Sequence, residues 1–163
     1  TTAAVDELGS AAARAAVLEA LNGGTKLVSY VGHSSMGQWD WTPLLRWQDA
    51  ADLTNEGAPN LVTAWGCWNS YYVEPTIESL AARLLRQPDA GPAGAIGATT
   101  LTSESSHQAL GNLFFQQVNA GATRVGDAFH AAKHALAAQG GAQDAILGMT
   151  LLGDPAMSLP PVE

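Results

Sequence analysis

Charge is scarce in this sequence, and positive charge is scarcest. Seven Lys and Arg stand against fifteen Asp and Glu in 163 residues, a net charge of −8. With no basic stripe to neutralise phosphates, nucleic acid is not expected as a partner. Long apolar runs are missing too. None approaches the roughly 20 residues of a bilayer span, and no basic segment leads into an apolar one at the start, so no membrane helix and no signal peptide is read. A single cysteine, Cys67, excludes an internal disulfide and any metal site built from several cysteines. There is no internal repeat and no low-complexity linker. What is present is apolar: 47% of residues are hydrophobic and 13% charged. That balance makes a globular domain with a real core.

Strand and helix patterns alternate along the chain. Residues 5–21 (VDELGSAAARAAVLEAL) read as a helix stopped by Asn22-Gly23-Gly24. Lys26 to Val31 is a short β-branched strand. Thr42-Pro43 is read as opening a helix to about Asp52, with proline in the first turn. Asn60 to Trp65 is the next strand, Val73 to Arg86 a helix, and Ala93 to Thr99 a third strand. Residues 105–119 and 123–138 read as helices, and Ile146 to Leu152 as a last strand closed by Gly153-Asp154-Pro155. Strands apolar on both faces, separated by helices, predict a mostly parallel sheet covered by helices on both sides. In such sheets reactive groups gather beyond the carboxyl ends of the strands.

That rule directs attention to YVGHSSMGQW, residues 30–39, where a strand runs into two serines and a histidine. A serine-hydrolase elbow needs G-x-S-x-G, so that both glycines permit the sharp turn. Centred on Ser34 the second glycine is missing; centred on Ser35 the first is replaced by His33. The elbow fails in both frames, which leaves a serine hydrolase with Ser34 as nucleophile the weakest reading. His130 and His134 have the i, i+4 spacing of a zinc-protease helix, but HAAKH carries no glutamate and puts Lys133 beside the supposed metal. Ordinary surface histidines suffice there, and no metal site is assigned.

His33 and Cys67 are different. Each follows an apolar strand, VSYVGH and VTAWGC, and each is preceded by a glycine, Gly32 or Gly66. A lone cysteine is usually a small buried hydrophobe. If the two strands are neighbours in a parallel sheet, however, their ends lie about 4.8 Å apart. A thiol becomes a nucleophile at neutral pH when a histidine stands by as base.

The ordered set YVGHSSMGQW, LVTAWGCWNSYY, GAIGATTLTSESS and TLLGDPAMSLP resembles the gingipain-type cysteine peptidases, which have a caspase-like fold. That family has a strand ending in Gly-His-Gly and, some thirty residues on, one ending in Ala-Cys. A Gly-Asp-Pro-Ser-like segment closes its domain. Here Ser34 replaces the glycine after the histidine and Gly66 the alanine before the cysteine. The resemblance runs from about Leu21 to Leu159.

It implies Cys67 as nucleophile, His33 as proton carrier, and the backbone N–H groups of Ser34 and Cys67 as an oxyanion hole. It also implies substrate contacts from Trp68 and from the loop after the third strand, where Thr100, Ser103, Glu104 and His107 lie. The implied activity is that of a cysteine endopeptidase acting on polypeptides without a metal or organic cofactor, in a secreted or cell-surface setting. A non-catalytic scaffold of the same fold is the competing expectation. The family's domain begins with further strands ahead of residues 5–21. Residues 1–163 are accordingly expected to be one domain, the C-terminal part of a caspase-like peptidase domain lacking its N-terminal strands, with an N-terminal segment of that domain as partner.

Overall fold

The computed structural model describes residue 2 and residues 4–159. Two helices, α1 (Val5–Leu8) and α2 (Ser10–Asn22), meet at Gly9 and lead into strand β1 (Leu27–Val31). A small hairpin, β2 (Gln38–Trp39) and β3 (Leu45–Arg46), runs into a 3-10 helix (Trp47–Asp52) and then β4 (Leu61–Trp65). Helix α3 (Leu80–Leu85) precedes β5 (Gly94–Ala98). Helices α4 (Glu104–Asn119), α5 (Val125–Gln139) and α6 (Gln143–Gly148) precede β6 (Met149–Gly153).

The main sheet has the order β1-β4-β5-β6. β1, β4 and β5 are parallel, and β6 runs antiparallel beside β5. Register pairs Leu27 with Leu61 and Val31 with Trp65, so β1 and β4 end level at the same sheet edge. The two faces carry separate cores, and β4 feeds both by period-2 alternation. Leu61 and Trp65 pack against Leu110, Phe114, Val125 and Phe129 of α4 and α5. Val62 and Ala64 pack against α2, the hairpin and α3 through Leu21, Trp39, Leu45, Leu80 and Leu84. A fully buried Phe such as Phe114 is worth about 3–5 kcal/mol against truncation to alanine. The closing Gly-Asp-Pro turn docks on the start of α5: Val125 N–H donates to Met157 O and Gly126 N–H to Pro155 O, at 3.0 and 2.9 Å.

Three expectations about elements are corrected. The helix expected from Thr42 to Asp52 is a hairpin strand followed by a 3-10 turn. Buried Asp49 accepts the Arg46 N–H at 2.7 Å and pairs with Arg14 of α2 at 2.5 Å, a long-range tie that local propensity does not contain. The helix expected from Val73 starts only at Leu80. Before it, Glu74 captures the backbone N–H and hydroxyl of Thr76, and Ser79 makes the real N-cap by accepting from Ala82 N. The strand expected from Ile146 begins at Met149, because 143–148 form α6.

Candidate active site

β1 exits through Gly32, whose φ of +152° and close approach to the Tyr30 ring leave no room for a Cβ; one placed there would sit 2.6 Å from Tyr30 Oη. Tyr30 stacks on Trp39, with centroids 4.7 Å apart, and donates its hydroxyl to His33 O at 2.6 Å. Burial, reinforced by the charge of Asp40, pushes the Tyr30 phenol well above its ordinary range, so it is a permanent donor. Asp40 N–H also donates to His33 O, at 2.7 Å. The main chain of His33 is thus gripped twice, while its side chain is exposed and lies 5.4 Å, centroid to centroid, from the Trp41 indole.

β4 exits through Gly66, where a Cβ would overlap Gly32 O and come within 2.5 Å of Ser34 Oγ. The glycine therefore lets the two loops touch. Cys67 follows, half-buried, its Sγ 3.4 Å from Thr102 O and 3.9 Å from Thr102 Oγ1. Trp68 takes a left-handed φ of +61°, donates its N–H to Thr100 O at 3.1 Å, and packs edge-on against Tyr71. A left-handed conformation in a bulky residue costs about 1–3 kcal/mol and persists only where its surroundings enforce it.

Ser34 joins the loops. Its Oγ donates to Cys67 O at 2.7 Å and accepts from Asn69 Nδ2 at 3.1 Å. The hydroxyl proton is therefore committed to a carbonyl, and among the described residues no histidine bonds to it. The Ser34 backbone differs: it faces Trp39 as an isolated bridge whose bonds are made by its neighbours, Ser35 N–H to Gln38 O and Asp40 N–H to His33 O. That pattern leaves the Ser34 N–H outside the ladder.

His107 lies buried in α4, its Nδ1 3.2 Å from Thr102 Oγ1, which also reaches Gly66 O at 3.3 Å. Its Nε2 is buried without a partner among the described residues. Burial lowers its pKa, and the His33 charge adds to this. Glu104 and Asp144 oppose it but are outweighed. Of the other expected substrate contacts, Thr100 is half-buried and Glu104 is exposed at the start of α4. Ser103 is the α4 N-cap, accepting from Ser106 N, and donates its N–H to Asp144 at 2.6 Å. His130 and His134 sit exposed on α5, ring centroids 4.4 Å apart. Among the described residues no three His, Cys, Asp or Glu gather where a metal could be held.

Four residues around the site escaped sequence reasoning: Tyr30, Trp41, Asn69 and Thr102. Only Trp41 carried a signal, as one of two tryptophans close behind the histidine. With this geometry in view, the family model of peptidase family C25 matches residues 1–160.

The chain belongs to peptidase family C25. The family is one of cysteine peptidases, and three solved structures share the fold. One is the crystal structure of gingipain R, an Arg-specific cysteine proteinase, at a TM-score of 0.75 and 19% identity over 90% of this chain. Another is the complex of the pro- and mature domains of Porphyromonas gingivalis RgpB, at 0.75 and 20% over 88%. A third, described only as a protease, has a TM-score of 0.67 at 17% identity over 86%. The C25 chain spans 36% of the length of each. The mostly parallel sheet with helices on both faces is the caspase-like fold of the gingipains. No curated protein matches the chain in sequence. Among the described residues no helix is long and apolar enough to cross a membrane.

Proposed function

We propose that this C25 chain carries the Cys67–His33 dyad of a cysteine endopeptidase. The observation that supports it most is the register of β1 and β4. Val31 lies opposite Trp65, and each reactive residue follows two positions later at the same sheet edge. In the reaction, His33 takes the Cys67 proton and Sγ bonds to the scissile carbonyl carbon. The Ser34 and Cys67 N–H groups receive the oxyanion, each such donor being worth about 3–4 kcal/mol. The C–N bond then breaks, and the leaving amine takes the proton from His33. Water, giving a proton to His33, attacks the thioester; the acid leaves and the thiol is restored. Every atom is accounted for without a metal or organic cofactor.

Trp68, Thr100, Ser103, Glu104 and His107 remain the proposed substrate contacts, with Trp68 and Thr100 the better placed because their backbones bond each other beside Cys67. The proposed partner is an N-terminal segment of the same catalytic domain. It would extend the sheet at β1, an edge strand flanked by a cleft of about 710 Å³ between β1 and α2. The 36% span of the structural relatives supports this assignment. A secreted or cell-surface setting is proposed on family membership.

The test is peptide hydrolysis by the full-length protein. Cys67→Ala is expected to lower kcat/KM at least about 1,000-fold, while Ser34→Ala and Ser35→Ala each cost about tenfold or less. Activity retained in Cys67→Ala and lost in Ser34→Ala would make the serine the nucleophile. A folded wild-type protein that cleaves nothing would leave the scaffold reading.

A further inference from the structure

We infer that Trp41 is a specificity residue on the leaving-group side of the site, an apolar wall for the side chain that follows the scissile bond. The inference rests on the dyad reading and adds the substrate class it selects. Trp41 is 80% exposed, more than any other large hydrophobic side chain among the described residues. A lone exposed apolar side chain is ordinary, but indoles are enriched at interfaces, and one held rigidly beside a reactive group offers a contact face. The loop here is not loose. Asp40 is held at a left-handed φ of +64° with its polar groups engaged: its N–H on His33 O at 2.7 Å, its carboxylate accepting the Trp41 N–H at 2.7 Å, and its carbonyl accepting from Gln38 Nε2 at 2.9 Å. Strain fixed by local bonds therefore presents the indole outward, 5.4 Å from the His33 ring.

The position carries chemical meaning. The group that hands a proton to the leaving nitrogen stands beside that nitrogen, and the side chain of the new N-terminal residue is attached one carbon away. An apolar surface next to His33 therefore meets that residue. The other aromatic pair near the site, Trp68 and Tyr71, follows Cys67 in the chain and packs edge to face with centroids 4.9 Å apart. An aliphatic or aromatic residue after the scissile bond covers indole surface that glycine leaves wet, and the gain appears in kcat/KM.

The experiment uses the full-length protein and peptide pairs identical except for Gly or Leu immediately after the scissile bond. Wild type is expected to cleave the Leu peptide with a kcat/KM about tenfold above the Gly peptide. Trp41→Ala is expected to bring that ratio within about twofold, and Trp41→Phe to keep most of it. A ratio near one in wild type, or a preference that survives Trp41→Ala, overturns the assignment. Binding of the same peptides to the Cys67→Ala protein separates this from the dyad. The Trp41 indole N–H resonance, identified by its loss in Trp41→Ala, should shift at a lower concentration of the Leu peptide than of the Gly peptide. If wild type cleaves nothing, the dyad reading fails and this second measurement decides alone: equal responses, or none, refute the role of Trp41.

Discussion

The two loops that leave the sheet edge are built differently. Beyond β4, the Cys67 loop is sewn into the fold by main-chain and side-chain bonds. Trp68 N–H reaches Thr100 O, Ser70 N–H reaches Ala98 O, and Asn69, 2% exposed, bonds Ser34 Oγ and Ala64 O. Beyond β1, the backbone of His33 is held by Tyr30 and Asp40, but its imidazole is exposed, with the Trp41 ring alongside. A nucleophile must not move relative to the oxyanion donors, whereas a proton carrier must visit both the thiol and the leaving amine. A held thiol loop beside an exposed imidazole is the contrast that the proposed thiol-imidazole mechanism calls for.

The comparison can be broken or sharpened by substitution. The largest effect is expected at the seam. Gly66→Ala drives a methyl into Gly32 O and Ser34 Oγ, and should cost about 3 kcal/mol in denaturant unfolding; a neutral result would mean that the loops do not touch. Asn69→Ala, which strips a buried amide bonded to Ser34, should cost about 2 kcal/mol and slow the Cys67 reaction. A smaller effect is a loss of stability in acid. Burial, with the His33 charge, keeps folded His107 neutral below the pKa of a free histidine, against the pull of Glu104 and Asp144. The unfolded residue binds a proton near about pH 6.5. The contribution is therefore complete above that pH and is lost as pH falls through the lower folded value. His107→Gln should flatten the dependence of Tm on pH below about 6.5, and an unchanged slope would place the titrating group elsewhere. The smallest effect is at Tyr30→Phe, which removes one bond to His33 O. It should cost about 1 kcal/mol or less, lowering hydrolysis without changing thiol exposure.

The sheet edge was legible because its signal is local. Two apolar runs, each ending in glycine and then a reactive residue, can be read in any parallel α/β chain; the structure then sets Val31 opposite Trp65. What holds the edge together was not legible. Ser34 and Asn69 are 35 residues apart, and Thr102 and Gly66 are 36 apart. A polar residue in a loop gives no sign of a partner so distant. The misread 42–52 segment has the same cause, since Arg14 reaches Asp49 across 35 residues. The start of β6 was misread for another reason. A short apolar run such as 146–152 fits either a buried strand or a helix turn, and the left-handed Ala142 that begins α6 leaves no mark in composition.

The central claim, that His33 activates Cys67, is tested most directly by the rate at which iodoacetamide labels Cys67 in the folded full-length protein near neutral pH. As the chain's single cysteine, Cys67 gives an unambiguous readout in this segment by peptide mapping. The account predicts rapid labelling in wild type and at least about tenfold slower labelling in His33→Ala, with the fold unchanged by circular dichroism. Equal rates in the two proteins, or a thiol that reacts only after denaturation, would contradict it and return Cys67 to the role of a small buried side chain.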